Sequence, residues 1–163
     1  MPRGSLAEAY LAFLDREGIS ADGLVEASVM GETGAFDVHA ELAYVGDRLR
    51  DTHDLWHAVS GYQGDVVGET ALLAFSAAQT KNPGVALIVA TALLRGRDLE
   101  LTRLVVNAFR DGLAAAWLPA AMWEELMPLP LDEVRARLRV ALAPPYVPTR
   151  TSEMRAMGEL APA

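Results

Sequence analysis

His53 and His57 stand four residues apart with Asp54 directly after the first, and Glu69 follows His57 after eleven intervening residues. On an α-helix, at about 100° per residue, the two imidazoles project roughly 40° apart and Asp54 about 60° beyond His57. All three side chains therefore converge above one helical face. Gly61 and Gly64 fall between His57 and Glu69. They let the chain turn, so that a second helix starting near Asp65 brings the Glu69 carboxylate back over the first three groups. Two imidazoles and two carboxylates form a donor set for a borderline divalent cation, with zinc the first choice. The same donors with open positions suit non-haem iron if the chemistry is oxidative.

A second arrangement satisfies the same residues. Leu55, Trp56, Val59, Val66 and Val67 are apolar and predict a buried setting, where charged groups must be paired or metal-bound. A metal-free network of His53, Asp54, Arg50 and Glu69 would meet that requirement. Arg50 lies four residues before Asp54 and is placed to pair with it. Asp51 or Glu41 is the expected acceptor for an imidazole's second nitrogen. His39 lies fourteen residues before His53, near the same face but about 20 Å away along the axis, and is expected on the surface.

The elements that must position these groups read as helices. Ser5 is a fitting N-cap for a first helix ending near Gly18, with Leu6, Tyr10, Phe13 and Leu14 on one apolar face. Residues 20–34 read as a helix or a helix and loop. Asp37 caps a long helix over 38–60 that carries the histidines, and a further helix over 65–80 carries Glu69 on its inward side with Leu72 and Phe75. Residues 85–94 hold no charge; at about half the length needed to span a bilayer, they predict a buried central helix, with the wall of a site for a lipid-like ligand or a membrane-facing surface as the other readings. Helical spacing continues over 99–118, where Gly112 permits close packing. Trp117, Met122 and Trp123 are expected in the core, and a last amphipathic helix covers 130–142. Strand signals are scarce. The expected fold is all-α, a single-domain bundle of about six or seven helices: an all-helical metal-binding domain over 1–143 and a Pro-containing tail over 144–163.

Composition narrows the function. A chain of 163 residues with 52% hydrophobic residues and mean hydropathy +0.17 suits one domain with a substantial core plus an apolar ligand channel or partner surface. The formal net charge of −8 argues against nucleic acid, which calls for a clustered basic surface. The absence of cysteine excludes disulfides, thiolate metal sites and cysteine nucleophiles. No secretory pattern opens the chain.

The spacing His53-Asp54-x-x-His57, eleven residues, Glu69 resembles the signature of the ubiquinone-biosynthesis family of coenzyme Q protein four. Tyr44, Arg48, Arg50 and Asp51 resemble that family's run before the first histidine, Gly61 and Gly68-Glu69 its glycine break and Gly-Glu pair, and Trp123-Glu124 its Trp-Glu pair. The close match covers about 44–69, and a looser helical pattern extends to about 142. The resemblance implies His53, Asp54, His57 and Glu69 as metal ligands and catalytic residues. It also implies removal of the carboxyl at ring carbon one of a polyprenyl-hydroxybenzoate, coupled or not to hydroxylation there. The substrate would be a prenylated aromatic quinone precursor, with other ubiquinone-biosynthesis proteins as partners, a peripheral membrane contact, and a homodimer compatible with all of these. The chain is shorter than eukaryotic relatives, which points to a bacterial, cytoplasmic form acting at the inner membrane face. A different class of function fits the same residues: a non-catalytic scaffold that binds isoprenoid intermediates and whose metal is structural. An open coordination position beside a cavity separates the two.

Overall fold

The computed structural model describes residues 2–19 and 40–149, with only the backbone described for 40–45. Seven α-helices and no strand occur among the described residues: α1 (Leu6–Glu17), α2 (Ala40–Ser60), α3 (Val66–Thr80), α4 (Pro83–Gly96), α5 (Leu99–Ala114), the single turn α6 (Trp123–Leu126) and α7 (Leu131–Leu138), with a 3₁₀ turn at Leu118–Ala120. The all-α reading is borne out. His39 and Asp37 lie outside the described residues, as does the segment 20–34.

Local chemistry sets most helix ends. Ser5 accepts from the Glu8 amide at the start of α1, and Gly18, at φ +69°, closes it. Asp65, Asn82 and Asp98 cap α3, α4 and α5, each accepting amides of the first turn, and Pro83 takes the first position of α4, where an amide is not needed. The first amides of α1 are satisfied from elsewhere: Leu6 and Ala7 donate to the carbonyls of Leu129 and Met127. The linker between α6 and α7 thereby ties the two ends of the fold together.

Helix α3 is the central element. It packs most closely on α5, where Gly112 lets the two backbones meet: a Cβ there would stand 2.6 Å from the Phe75 carbonyl and 2.9 Å from the Ala78 Cβ. The Gln79 side chain stitches the same junction, donating to the Gly112 carbonyl and accepting from the Leu118 amide. Helix α1 lies on α2, and the Arg135 guanidinium of α7 reaches the Val59 carbonyl at the end of α2. Leu6, Val59, Leu72, Phe75, Leu118, Trp123 and Val134 are fully buried between these layers.

Three expectations need correction. Helix α4 is not a buried central helix. Of its residues only Val89 is buried, while Leu87 is 68% and Leu94 76% exposed, because α4 follows the tight turn at Lys81 and lies along the outside of α3 and α5. The core holds Trp123, whereas Trp117 and Met122 are exposed, since the 3₁₀ turn rotates them outward. The last helix stops at Leu138, where Arg139 adopts φ +53°. The chain then runs extended to Thr149.

Gly112→Ala should lower stability by about 1–3 kcal/mol through overpacking, read as a fall in Tm of roughly 3–10 °C by calorimetry. Gly46→Ala, at an exposed point of α2 where a methyl group meets nothing, should raise Tm by roughly 1–3 °C.

Candidate metal centre

The site forms where α2 ends and α3 begins. Helix α2 presents His53 and His57 one turn apart, their rings edge to face with centroids 4.8 Å apart. Gly61, at φ +82°, turns the chain out of α2. Residues 61–65 then reverse it, and Asp65 starts α3 by accepting from the Val67 and Gly68 amides. Glu69 sits in the first turn of α3 with its carboxylate returned over the histidines. His57 Nε2 is 3.1 Å from Glu69 Oε1, and His53 Nε2 is 3.7 Å from Glu69 Oε2. One donor atom from each of the three residues lies within 4.8 Å of the others. Ligands about 2.1 Å from a tetrahedral ion are spaced roughly 3.4 Å apart, and the two nitrogen–oxygen separations bracket that value.

The state of His57 is informative. Its ring is fully buried, stacked on Phe13 at 4.8 Å, and its Nδ1 lies 2.9 Å from the Tyr62 carbonyl. A carbonyl only accepts, so Nδ1 carries the proton and donates it there. The other nitrogen, Nε2, is buried and makes no hydrogen bond, although a carboxylate oxygen stands 3.1 Å away. A lone pair facing a carboxylate is repulsive unless an electron-pair acceptor lies between them or a proton sits on the nitrogen. The donor set and its geometry thus fit a divalent cation held by two imidazoles and a carboxylate.

Asp54 is placed differently from the other three expected ligands. Its Oδ1 lies 3.4 Å from His53 Nδ1, on the ring edge opposite the nitrogen that faces Glu69. In this arrangement it orients the imidazole, as an outer carboxylate does for a metal-bound histidine. Burial, the largest influence, lowers the His53 pKa, but the Asp54 hydrogen bond and the charges of Glu69 and Asp54 outweigh it and raise it above the ordinary value. Arg50 does not pair with Asp54: it binds Asp47 at 3.2 Å and Asp51 at 3.5 Å along the exposed side of α2. Asp51 is therefore not the acceptor for an imidazole; Asp54 and the Tyr62 carbonyl fill that role. The Glu41 side chain lies outside the described residues.

A cavity of about 570 Å³ adjoins the centre on the side of His53 and Asp54, which are among its lining residues. Leu49, Trp56, Leu73, Val85 and Ile19 form its apolar walls. Across α3, a groove of about 470 Å³ runs between α4 and α5, walled by Val89, Leu93, Val105, Val106, Phe109 and Leu113. Arg48 works at a distance from both. It pairs with both oxygens of Glu124 at 3.2 and 3.3 Å and donates to the Ala121 carbonyl, which clamps α2 to α6 and holds the Glu124 carboxyl below its ordinary range. Several contributors were not singled out by spacing. Phe13 and Tyr10 carry only the signature of an apolar helix face, yet Phe13 covers His57, and burial, with the Asp54 charge added, raises the Tyr10 pKa. Tyr62 acts through its carbonyl, for which no sequence signal exists.

Residues 1–144 match the family model described as coenzyme Q (ubiquinone) biosynthesis protein Coq4. The chain is 36% identical over 149 residues to a mitochondrial ubiquinone biosynthesis protein coq4 of Talaromyces stipitatus, covering 89% of this chain and 49% of that protein. It is 34% identical over 148 residues to its counterpart in Aspergillus clavatus, covering 88% and 49%. The chain spans about half the length of these curated relatives. A crystal structure of a putative ubiquinone biosynthesis protein from Nostoc punctiforme superposes with a TM-score of 0.60 at 25% identity, covering 85% of this chain and 63% of that one. On the family match over most of its length, this chain belongs to the Coq4 family of coenzyme Q biosynthesis proteins.

Proposed function

We propose that the protein acts in ubiquinone biosynthesis as a metal-dependent carboxy-lyase, removing the carboxyl at ring carbon one of a polyprenyl-hydroxybenzoate head group. The observation that carries this is the convergence of three protein donors, His53, His57 and Glu69, on one point, with His53 also lining a largely apolar cavity. Structural zinc sites are closed by four protein ligands, whereas catalytic ones keep a position free. Zinc is the preferred ion and iron the alternative, and Asp54 belongs to the same centre as the group that orients His53. A bound divalent ion supplies Lewis acidity for a substrate carboxylate or phenolate.

The chain's own residues account for the rest. The walls at Leu49, Trp56, Leu73 and Val85 take the ring and the start of the prenyl tail, each buried methylene contributing about 0.8 kcal/mol. Phe13 keeps water from the inner side of His57. Tyr62 and Asp54 hold the Nδ1 protons and so leave each Nε2 turned toward Glu69. In the reaction a proton is added at ring carbon one, the bond to the carboxyl carbon breaks, and carbon dioxide leaves as the ring regains aromaticity. Asp54, on the cavity wall, is the carboxyl best placed to carry that proton.

The exposed apolar residues favour the scaffold as a second reading. Leu87, Ile88 and Leu94 on α4, Leu113 on α5 and Trp117 after it are exposed, and Leu113 lines the α4–α5 groove. Such a surface suits a prenyl chain, a peripheral membrane contact, another ubiquinone-biosynthesis protein or a second copy. No described helix is long and apolar enough to cross a membrane.

Purified protein should hold about one equivalent of metal by elemental analysis, and His57→Ala should lose it, since only His53 and Glu69 of the three converging donors remain. With a short-tailed prenyl-hydroxybenzoate, the loaded protein should release carbon dioxide, and Asp54→Asn should slow that release by roughly 10²-fold or more. Bound metal without turnover across prenylated benzoates would transfer the assignment to the scaffold.

The raised His53 pKa fixes a pH dependence with opposite signs in the two forms. Without metal, protonated His53 adds stability that is full below its unfolded value of about 6.5 and is lost as pH rises through the folded value. Metal binding requires the neutral ring. The gain in Tm on adding zinc should therefore widen as pH rises from about 6.5 through the raised folded value. A gain independent of pH would rule out His53 as a ligand.

A further inference from the structure

The extended segment after α7 is fastened across the five-residue connection that joins the two halves of the metal centre. It begins at Ala143, whose amide donates to the Ser60 carbonyl. Leu142 packs so closely over Gly61 that a Cβ there would stand 2.7 Å from its Cδ1. Further along, the Tyr146 hydroxyl donates to Asp65 Oδ2 at 2.9 Å and accepts from the Gln63 amide at 2.8 Å. The Thr149 amide donates to Asp65 Oδ1 at 2.9 Å, and the Thr149 carbonyl accepts from the Val66 amide at 2.9 Å. Gly68 completes the fit, since a side chain at that position would collide with the Tyr146 hydroxyl and the Gln63 carbonyl.

Asp65 is 3% exposed, and its carboxylate gathers four donors, two from the first turn of α3 and two from this segment. A buried carboxylate is stable only when its lone pairs are so occupied. The Asp65 carbonyl accepts from the Glu69 amide at 2.8 Å. The strap, the cap and the residue that faces the histidines therefore form one hydrogen-bonded chain. The other end of the connection carries His57, whose Nδ1 is fixed by the Tyr62 carbonyl, and the Tyr62 ring in turn packs on the Tyr146 ring at 6.3 Å. His57 and Glu69 are thus each bonded to a residue, Tyr62 or Asp65, whose side chain Tyr146 touches.

We infer that Tyr146 is a positioning residue of the metal centre, setting the reach of Glu69 to His57 through Asp65 and the Gln63 amide. This rests on the proposed metal site and extends it to a part of the chain that contributes no ligand. Tyr146→Phe keeps the ring contact with Tyr62 but leaves the Gln63 amide and one Asp65 oxygen without their partner.

The test uses the full chain in wild-type form and as Tyr146→Phe, His57→Ala and Arg137→Ala, the last removing an exposed ion pair with Glu133 on α7. Two quantities are read: the ¹⁵N shifts of the imidazoles in metal-free protein, and the dissociation constant and visible absorption of cobalt(II). Tyr146→Phe should keep the helical circular dichroism, displace the His57 signals, weaken cobalt binding by roughly tenfold or more and alter the absorption band; Arg137→Ala should change none of these. If Tyr146→Phe matches wild type in both readouts while His57→Ala loses cobalt, the positioning role is overturned and the metal centre stands. If wild type takes up no cobalt, the metal reading falls. The imidazole shifts then decide alone: displaced signals support the clasp, and unchanged ones overturn it.

Discussion

The structure turns on the reversal between α2 and α3. Five residues must take the chain from the His57 turn to the Glu69 turn and leave a carboxylate against a buried imidazole nitrogen. Gly61 makes this possible because a left-handed backbone is available there without a side-chain clash. Asp65 fixes the outcome because its carboxylate binds the first amides of the next helix. With a looser connection, Glu69 would face water and His57 Nε2 would be a buried polar atom with nothing to face. With a tight one, the two groups meet at 3.1 Å, and the buried imidazole nitrogen gains a shared proton or cation to offset its loss of water.

Much of the surrounding architecture can be understood as support for that reversal. Phe13 stacks on the inner histidine, α1 holds Phe13 in place, and the linker between α6 and α7 holds the start of α1 through backbone hydrogen bonds. Arg135 reaches from α7 to the Val59 carbonyl at the end of α2, while the Arg48–Glu124 pair ties the earlier part of the same helix to α6. On the far side, Gly112 and Gln79 lock α3 against α5, so the helix that bears Glu69 is anchored along its length. A site built this way keeps its donors in register on rigid elements, with His53 also lining the apolar cavity.

How much of this was legible in the sequence depends on the range of the interaction involved. Helical spacing and cap residues are local, and they placed α1, α3 and the carrier of the histidines well. The i, i+4 histidines and the later glutamate were legible because a helix converts spacing directly into direction. The partners of Arg50 and Asp54 were not, because an exposed arginine chooses among neighbouring acids by rotamer and solvation, and Asp47 and Asp51 were nearer than Asp54. Helix α4 was misjudged because lack of charge looks the same for a core helix and for an exposed apolar surface. Tyr146 lies in a proline-rich run without periodicity, and its attachment to Asp65 spans 81 positions; no local pattern encodes it.

The central claim is that His53, His57 and Glu69 share one cation. X-ray absorption at the zinc edge of the loaded protein tests it most directly. Two imidazole nitrogens and carboxylate oxygen at about 2.0–2.2 Å are expected, with the imidazole signature lost or reduced in His53→Ala. A shell of oxygen atoms alone, or an imidazole signature unchanged by that substitution, would contradict it.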